Sequence, residues 1–413
     1  MSILGIIAEY NPFHNGHQFH LNISKEKVQP SGIICVMSGN FTQRGEIALL
    51  DKWSRAEMAI KCGVDLVIEL PFVFTARSAE SFASGAIRLL DALKIVNTVS
   101  FGAEISNYNL LNSIALISEN TDFLPLFKKH LKFGKSYPQA LATSISSLLN
   151  ISPEIISKPN NILAIEYLKA IHQYNSAIQP LLIERSIAQH NDTSIADVIA
   201  SASAIRHQIF TNPQGLSAVK NCIPISTYNV MMNRLQENLL PSLDNLSIPL
   251  LAKLRNTTIL NLQETPGIAE GLEHKIFNAM NISTSYESLL KNIKSKRYPN
   301  SRLQRILLHF LIGTKKNSLH SFDKSGPLYA RVLGFNQTGR TLLKKVKQHS
   351  DIPIITKVSK HITSKDKNNS NLTDLQKMLL LDIYATDLFF LSLPDSKKHI
   401  GGLDFLNSPI FLI

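Results

Sequence analysis

Two histidines stand three residues apart in the turn Asn11-Pro12-Phe13-His14-Asn15-Gly16-His17, with a glycine between them. That combination can hold an anion. Glycine lets the backbone approach closely, and a helix opening near His17 offers unpaired N–H groups and a positive dipole end to a phosphate. Imidazoles placed there can donate hydrogen bonds to an α-phosphate as it becomes five-coordinate, stabilising the charge that develops. Two other readings compete. His14, His17 and His20 could ligate a metal, although no cysteine or well-placed carboxylate joins them. The histidines could also be ordinary capping or surface residues.

Such a turn needs a scaffold, and the flanking pattern predicts one. Residues 3–10, 32–37, 65–70, 98–101 and 180–184 read as strands, several of them apolar on both faces as parallel strands are. Helical periodicity falls between them at 52–61, 80–93 and 161–174. Strands alternating with helices specify an α/β fold, here a Rossmann-like, doubly wound parallel sheet. Its ligand belongs outside the carboxyl ends of the strands. The histidine turn falls there, as do the polar loop 38–46, with Asn40, Gln43, Arg44 and Glu46, and the pair Gly102 and Glu104. Loop 38–46 suits a lid or substrate clamp. Lys52 and Arg55 either contact phosphate or solvate their helix.

Beyond about residue 208 the pattern turns helical (231–239, 250–262 and 303–311), then mixed, with 329–333 and 353–356 extended and 375–391 helical. Boundaries in turn-rich stretches divide the chain into a nucleotide-binding unit (1–210), a basic helical unit (211–325) and a small mixed α/β C-terminal region (326–413). At 413 residues the chain has room for all three. Cys35, Cys62 and Cys222 are too few and scattered for a disulfide framework and read as core residues. Nothing approaches the ~20 apolar residues of a membrane span, and polar Glu9, Asn11 and His14 interrupt any leader-like run, so a cytoplasmic protein is expected.

Charge points to a second partner. The net charge is +12, yet 18 basic residues and three acids lie between Lys291 and Lys367, which leaves the rest of the chain at −3. A single segment holding the whole excess is the footprint of a polyanion-binding surface. Tyr298 among Lys294, Lys296, Arg297 and Arg302 offers a stacking ring beside phosphate-neutralising charges, and Arg340, Lys344, Lys345 and Lys347 would extend the track. A solvated basic face and a packed aromatic are the plainer alternatives.

The histidine turn after a first strand resembles the nucleotidyltransferase superfamily. Ile199-Ala200-Ser201-Ala202-Ser203-Ala204-Ile205-Arg206 is similar to that superfamily's late element, whose hydroxyls and arginine grip phosphates. Ala202 departs from it, since a second hydroxyl is usual there. Five ordered motifs resemble one family in particular, tRNA(Met) cytidine acetate ligase. They are 7–17, Met37-Ser-Gly-Asn-Phe-Thr-Gln-Arg-Gly45, Asp65-Leu-Val-Ile-Glu-Leu-Pro71, Phe101-Gly-Ala-Glu104 and Pro159-Asn-Asn-Ile-Leu-Ala-Ile-Glu-Tyr167. Looser similarity continues to Arg331-Val-Leu-Gly-Phe-Asn336.

The resemblance implies that acetate and ATP give acetyl-adenylate and pyrophosphate, without acetyl-CoA. The acetyl group then passes to N4 of the wobble cytidine of elongator tRNA(Met). It implies an ATP site lined by Ile7, Ala8, Glu9, Tyr10, Asn11, Pro12, Phe13, His14, Asn15, Gly16, His17, Gln18, Phe19 and His20. Gly102, Asn161 (or its neighbour Asn160), Arg185, Ser186, Ser201, Ser203 and Arg206 complete it. His14 and His17 carry the catalytic role, with Mg²⁺ expected on the phosphates. Other adenylyltransferases of small phosphorylated metabolites are shorter, and a non-catalytic RNA-binding protein would not need both histidines.

Overall fold

Near-continuous apolar runs place five strands at the centre of the molecule: β1 (Ile3–Ala8), β2 (Gly32–Ser38), β3 (Leu66–Leu70), β4 (Thr98–Ala103) and β5 (Gln179–Glu184). The computed structural model describes residues 2–135, 137–185, 198–295, 298–363, 365–366 and 371–413. The strands pair in parallel in the order β5-β4-β1-β2-β3. From β1 the chain builds outward through β2 and β3, then returns to β1's other side for β4 and β5. This reversal opens a crevice at the carboxyl ends of β1 and β4. β1 stops at Ala8, short of the expected 3–10, because Tyr10 turns into the left-handed region (φ 47°).

The expected extended segments of the C-terminal stretch do not form a layer of their own. β6 (Ala330–Phe335) joins the same sheet antiparallel to β3, and β7 (Ile354–Ile355) and β8 (Ile410–Phe411) pair with β6. Side chains alternate across the sheet as the pleat requires. Ile3, Val36 and Ile68 enter one core with helices Ala79–Ala92, Pro159–Gln173 and Gln337–His349, while Leu4, Cys35 and Val67 enter the other with helices Asn15–Val28 and Lys52–Lys61. Residues 250–310 build a third core of their own, centred on Leu250, Leu254, Leu289, Leu303 and Leu307. The stretch 250–262, expected as one helix, is two (Ser247–Arg255 and Ile259–Gln263), because Thr258 caps the second by accepting from Asn261 N at 3.2 Å. All three cysteines are buried and unbridged. Among the described residues no helix is long and apolar enough to cross a membrane.

Lys52 and Arg55 do not solvate their helix, since both are fully buried. Asp51 caps that helix through Trp53 N and Ser54 N (both 3.0 Å), which turns its first residues inward. Lys52 Nζ lies 3.0 Å from Glu69 and 2.9 Å from Asp404, and Arg331 bridges the same two acids at 3.2 and 2.5 Å. Arg55 donates to the carbonyls of Glu9, Ser38, Gly39 and Leu50. Both are structural cations. Arg55 holds the carbonyl at the end of β1 and the start of loop 38–46 in one place.

Candidate active site

A cavity of about 630 Å³ opens at the carboxyl ends of the parallel strands. Helix Asn15–Val28 begins at its centre. His14 is the N-cap: its Nδ1 accepts from Gly16 N at 3.0 Å, and His17 Nδ1 accepts from His14 N at 3.3 Å. The two rings stack with centroids 3.8 Å apart. An Nδ1 that accepts a backbone N–H is unprotonated, so each neutral ring carries its proton on Nε2. Burial first, then the neighbouring His14, Arg185 and His20, hold the His17 pKa well below the ordinary value. Burial therefore keeps the His17 ring neutral at physiological pH, with its one N–H on Nε2.

A second wall is built by Glu104. Its carboxylate accepts from Asn160 N (3.2 Å), Asn160 Nδ2 (2.6 Å) and Asn161 N (2.8 Å), capping helix Pro159–Gln173 at its positive end. Asn160 Oδ1 then receives Arg185 Nη1 at 3.0 Å. Asn160, Arg185 and Gly102 all line the cavity. A Cβ on Gly102 would stand 2.9 Å from the Arg185 stem, so glycine there leaves Arg185 its course.

The third wall joins distant segments. Ser201 caps helix Ala202–Thr211 by accepting from Ala204 N at 3.1 Å, and Ser203 faces the same cavity. Arg206 donates to Asn11 O (2.9 Å) and pairs with Glu46 (3.1 Å). Gln43 N donates to Glu9 Oε1 at 2.6 Å. Loop 38–46 is thus fastened to both the histidine turn and the late helix. Burial is the largest influence on Glu9 and raises its pKa, aided by Glu46 and opposed by the Gln43 N–H and Arg206.

A family model described as HIGH Nucleotidyl Transferase matches residues 1–402. The tRNA(Met) cytidine acetate ligase of Thermoanaerobacter sp. (strain X514) is 42% identical over 417 residues, covering 100% of both chains. That of Halothermothrix orenii is 40% identical, covering 98% of each. The chain belongs to the tRNA(Met) cytidine acetate ligase family. The crystal structure of apo Thermotoga maritima TmcAL matches it with a TM-score of 0.92 at 33% identity, covering both chains fully. The same protein bound with alpha-thio ATP matches at 0.90 and 32%.

Within this family frame, the cavity gathers most but not all of the expected ligand residues. Ile7, Ala8, Glu9, Tyr10, Asn11, His14, Gly16, His17, Phe19, His20, Gly102, Arg185, Ser201, Ser203 and Arg206 line it. Pro12, Phe13, Asn15 and Gln18 do not. Phe13 is fully buried in the core, Asn15 Nδ2 holds the carbonyls of Val198 and Asn221 (2.9 and 2.8 Å), and Gln18 reaches Cys62 O (3.2 Å). Asn161 does not line the cavity either: it is fully buried, with its amide engaged by Glu104 N and Ile155 O, whereas its neighbour Asn160 does. Ser186 lies outside the described residues.

Among the described residues no group of three His, Cys, Asp or Glu could hold a metal, so the three-histidine cage is not formed. His20 instead pairs with Ser100 at 2.9 Å. Sequence reasoning missed Tyr167 and Phe101, whose rings meet at 5.1 Å on the cavity wall, and Ser301 and Arg305, which reach it from the helical core. Only the fold brings 301 and 305 to residue 14, so no local pattern could have marked them.

The basic residues divide. Tyr298 is not a stacking platform: it is 5% exposed, and its hydroxyl donates to Ala269 O at 2.6 Å. Arg302 lies over that ring at 4.4 Å, and Lys294 is exposed. Lys296 and Arg297 lie outside the described residues. Arg340, Lys344 and Lys345 ride on helix Gln337–His349, which starts beside Asp65 at the entry of β3 (Asn336 N to Asp65 O, 3.0 Å). That is the end of the sheet opposite the cavity.

One consequence is measurable directly. Burial is the main cause that lowers His17, His20 (to about 4) and His309 (to about 3). The unfolded chain takes up these protons near the ordinary histidine pKa of ~6.5, so stability is full above that value and is lost as pH falls toward the folded values. The thermal midpoint is expected to drop between about pH 7 and about pH 5. A midpoint that stays level across this window would contradict the assignment of these rings as buried and neutral.

Proposed function

We infer that this protein is an ATP-dependent acetate ligase that acetylates N4 of the wobble cytidine of elongator tRNA(Met). The observation that carries it is the stacked histidine pair at a helix mouth, inside a cavity that also holds Asn160, Arg185, Ser201 and Arg206. An acetate oxygen attacks the α-phosphorus of ATP and pyrophosphate leaves, giving acetyl-adenylate. The cytidine amine then attacks the acetyl carbon, AMP leaves, and one proton is released. The Nε2–H groups of His14 and His17 donate to the α-phosphate oxygens where charge builds up. The walls orient the nucleotide, which for phosphoryl chemistry is most of the work.

Mg²⁺ would neutralise charge on the triphosphate. With no three-ligand carboxylate or histidine cluster among the described residues, no protein cage is assigned to it and no step depends on one. Residues 1–210 would do the activation, while 211–325 and 326–413 supply the surfaces for tRNA, with Arg302 one turn from Ser301 and Arg305 on the cavity wall. The reading places the protein in the cytoplasm, where its RNA substrate is. Incubation with ATP, labelled acetate and elongator tRNA(Met), without acetyl-CoA, is expected to yield N4-acetylcytidine at the wobble position only. Label appearing elsewhere, or only when acetyl-CoA is added, would refute it.

A further inference from the structure

We propose that Arg44 and Arg305 form a phosphodiester site at the mouth of the cavity, seating the acceptor RNA beside its target cytidine. This rests on the function just given. Helix Asn300–Ile312 belongs to the separate helical core, yet Ser301 and Arg305 on its first turns line the nucleotide cavity. The contact is fixed by Gly45, which adopts φ 80° at the tip of loop 38–46; a Cβ there would stand 2.8 Å from Arg305 N. The loop therefore docks on the helix backbone and brings Arg44 and Arg305 to one rim.

Arg305 is half-buried among like charges. Burial, then repulsion from Arg302, Arg77 and Arg44, lowers its guanidinium pKa to about 10. Arg77 is satisfied by Asp323 at 2.9 Å, whereas the Arg305 side chain has no hydrogen-bond or ion-pair partner among the described residues. A recessed cation held without an acid is costly, and an arriving anion relieves that cost. The guanidinium fork matches two phosphate oxygens at once.

Position identifies the anion as RNA. Cations lead along the chain to the cavity. Lys294 is exposed, Ser295 pairs with Tyr298, Arg302 stacks on the Tyr298 ring, and Arg305 follows one helical turn later at the cavity. A polymer has a phosphate for each of these; a small anion inside the cavity has no use for the outer ones. A single-stranded cytidine enters base first and leaves its backbone at the mouth. Arg44 and Arg305 would then fix how deep N4 is inserted toward the acetyl carbon.

The test is Arg305→Gln with Arg44→Gln; Gln keeps the Cγ that packs at Gly45. Binding of a tRNA(Met) anticodon stem-loop is measured against salt, together with acetate-dependent ATP–pyrophosphate exchange and RNA acetylation. The double variant should show a salt slope shallower by about two units, an RNA KM raised at least about tenfold, and a loss of acetylation at least about tenfold larger than its loss of exchange. Arg305→Lys should restore about half of the slope change, which a merely packing role would not. An unchanged slope overturns the proposal, and so does exchange falling in step with acetylation, which would assign these arginines to the triphosphate or pyrophosphate. If the unaltered protein shows no acetate-dependent exchange, the functional reading fails instead and takes this proposal with it.

Discussion

His14→Ala and His17→Ala are each expected to slow acetyl-adenylate formation at least about a hundredfold, the usual effect of losing a hydrogen bond made only in the transition state. Both rings have their Nδ1 held by a backbone N–H, so their orientation is fixed before the α-phosphate gains charge. The stacking at 3.8 Å makes the two mutually supporting, and the double variant should lose less than the product of the single losses. His14 is also the helix N-cap, so His14→Ala should cost about 1 kcal/mol of stability beside its kinetic effect. His17→Gln, which can keep a donor, should recover part of the rate. Single-turnover measurement of acetyl-adenylate checks this. Normal rates in both alanine variants would remove the histidines from the mechanism.

The other large effect is on stability. Arg331→Met should destabilise the fold by about 3–5 kcal/mol, because among the described residues it leaves Glu69 and Asp404 with Lys52 as their one remaining cation. Burial would raise the Asp404 carboxyl, and the Arg331 and Lys52 charges overcome this and hold it low. Adding Asp404→Met to Arg331→Met restores charge balance around the Lys52–Glu69 pair and should recover most of the loss. The activity should suffer as well. Lys52 N donates to Asn40 Oδ1 at 2.7 Å and Asn40 Nδ2 reaches Thr386 Oγ1 at 3.2 Å, so the cluster and helix Asp374–Leu391 together anchor the loop that carries Arg44 to the cavity. Denaturant midpoints of the two variants decide it. A single variant within about 1 kcal/mol of the unaltered protein would show that the cluster is not holding β6 to β3.

The parts of the site that are local in sequence were legible. A strand, a histidine turn and a helix start fit within residues 3–28, and periodicity alone places β1, β2, the helix Lys52–Lys61 and β5 to within one or two residues. What escaped was decided by partners far along the chain. Lys52 looks like a surface cation until Asp404, shared with Arg331 of β6, arrives to enclose it, and Arg55 until it turns inward onto the carbonyls of Glu9, Ser38 and Gly39. Tyr298 looks like an RNA platform until Ala269 claims its hydroxyl. Asn160 and Asn161 are neighbours of one type that both contact Glu104; what separates them is that Asn160 also receives Arg185 at the cavity, while the Asn161 amide turns inward to Glu104 N and Ile155 O. The basic excess between 291 and 367 is real in composition, but the sheet parts it: Arg302 stays near the cavity rim while Arg340 begins at the far edge.

The central claim is that this cavity joins acetate to AMP. Acetate-dependent exchange of labelled pyrophosphate into ATP, run without tRNA and without acetyl-CoA, tests it most directly. The exchange is expected with acetate in the unaltered protein and to collapse by at least about a hundredfold in His17→Ala. Exchange that ignores acetate, or that appears only with a phosphorylated metabolite in its place, would contradict it.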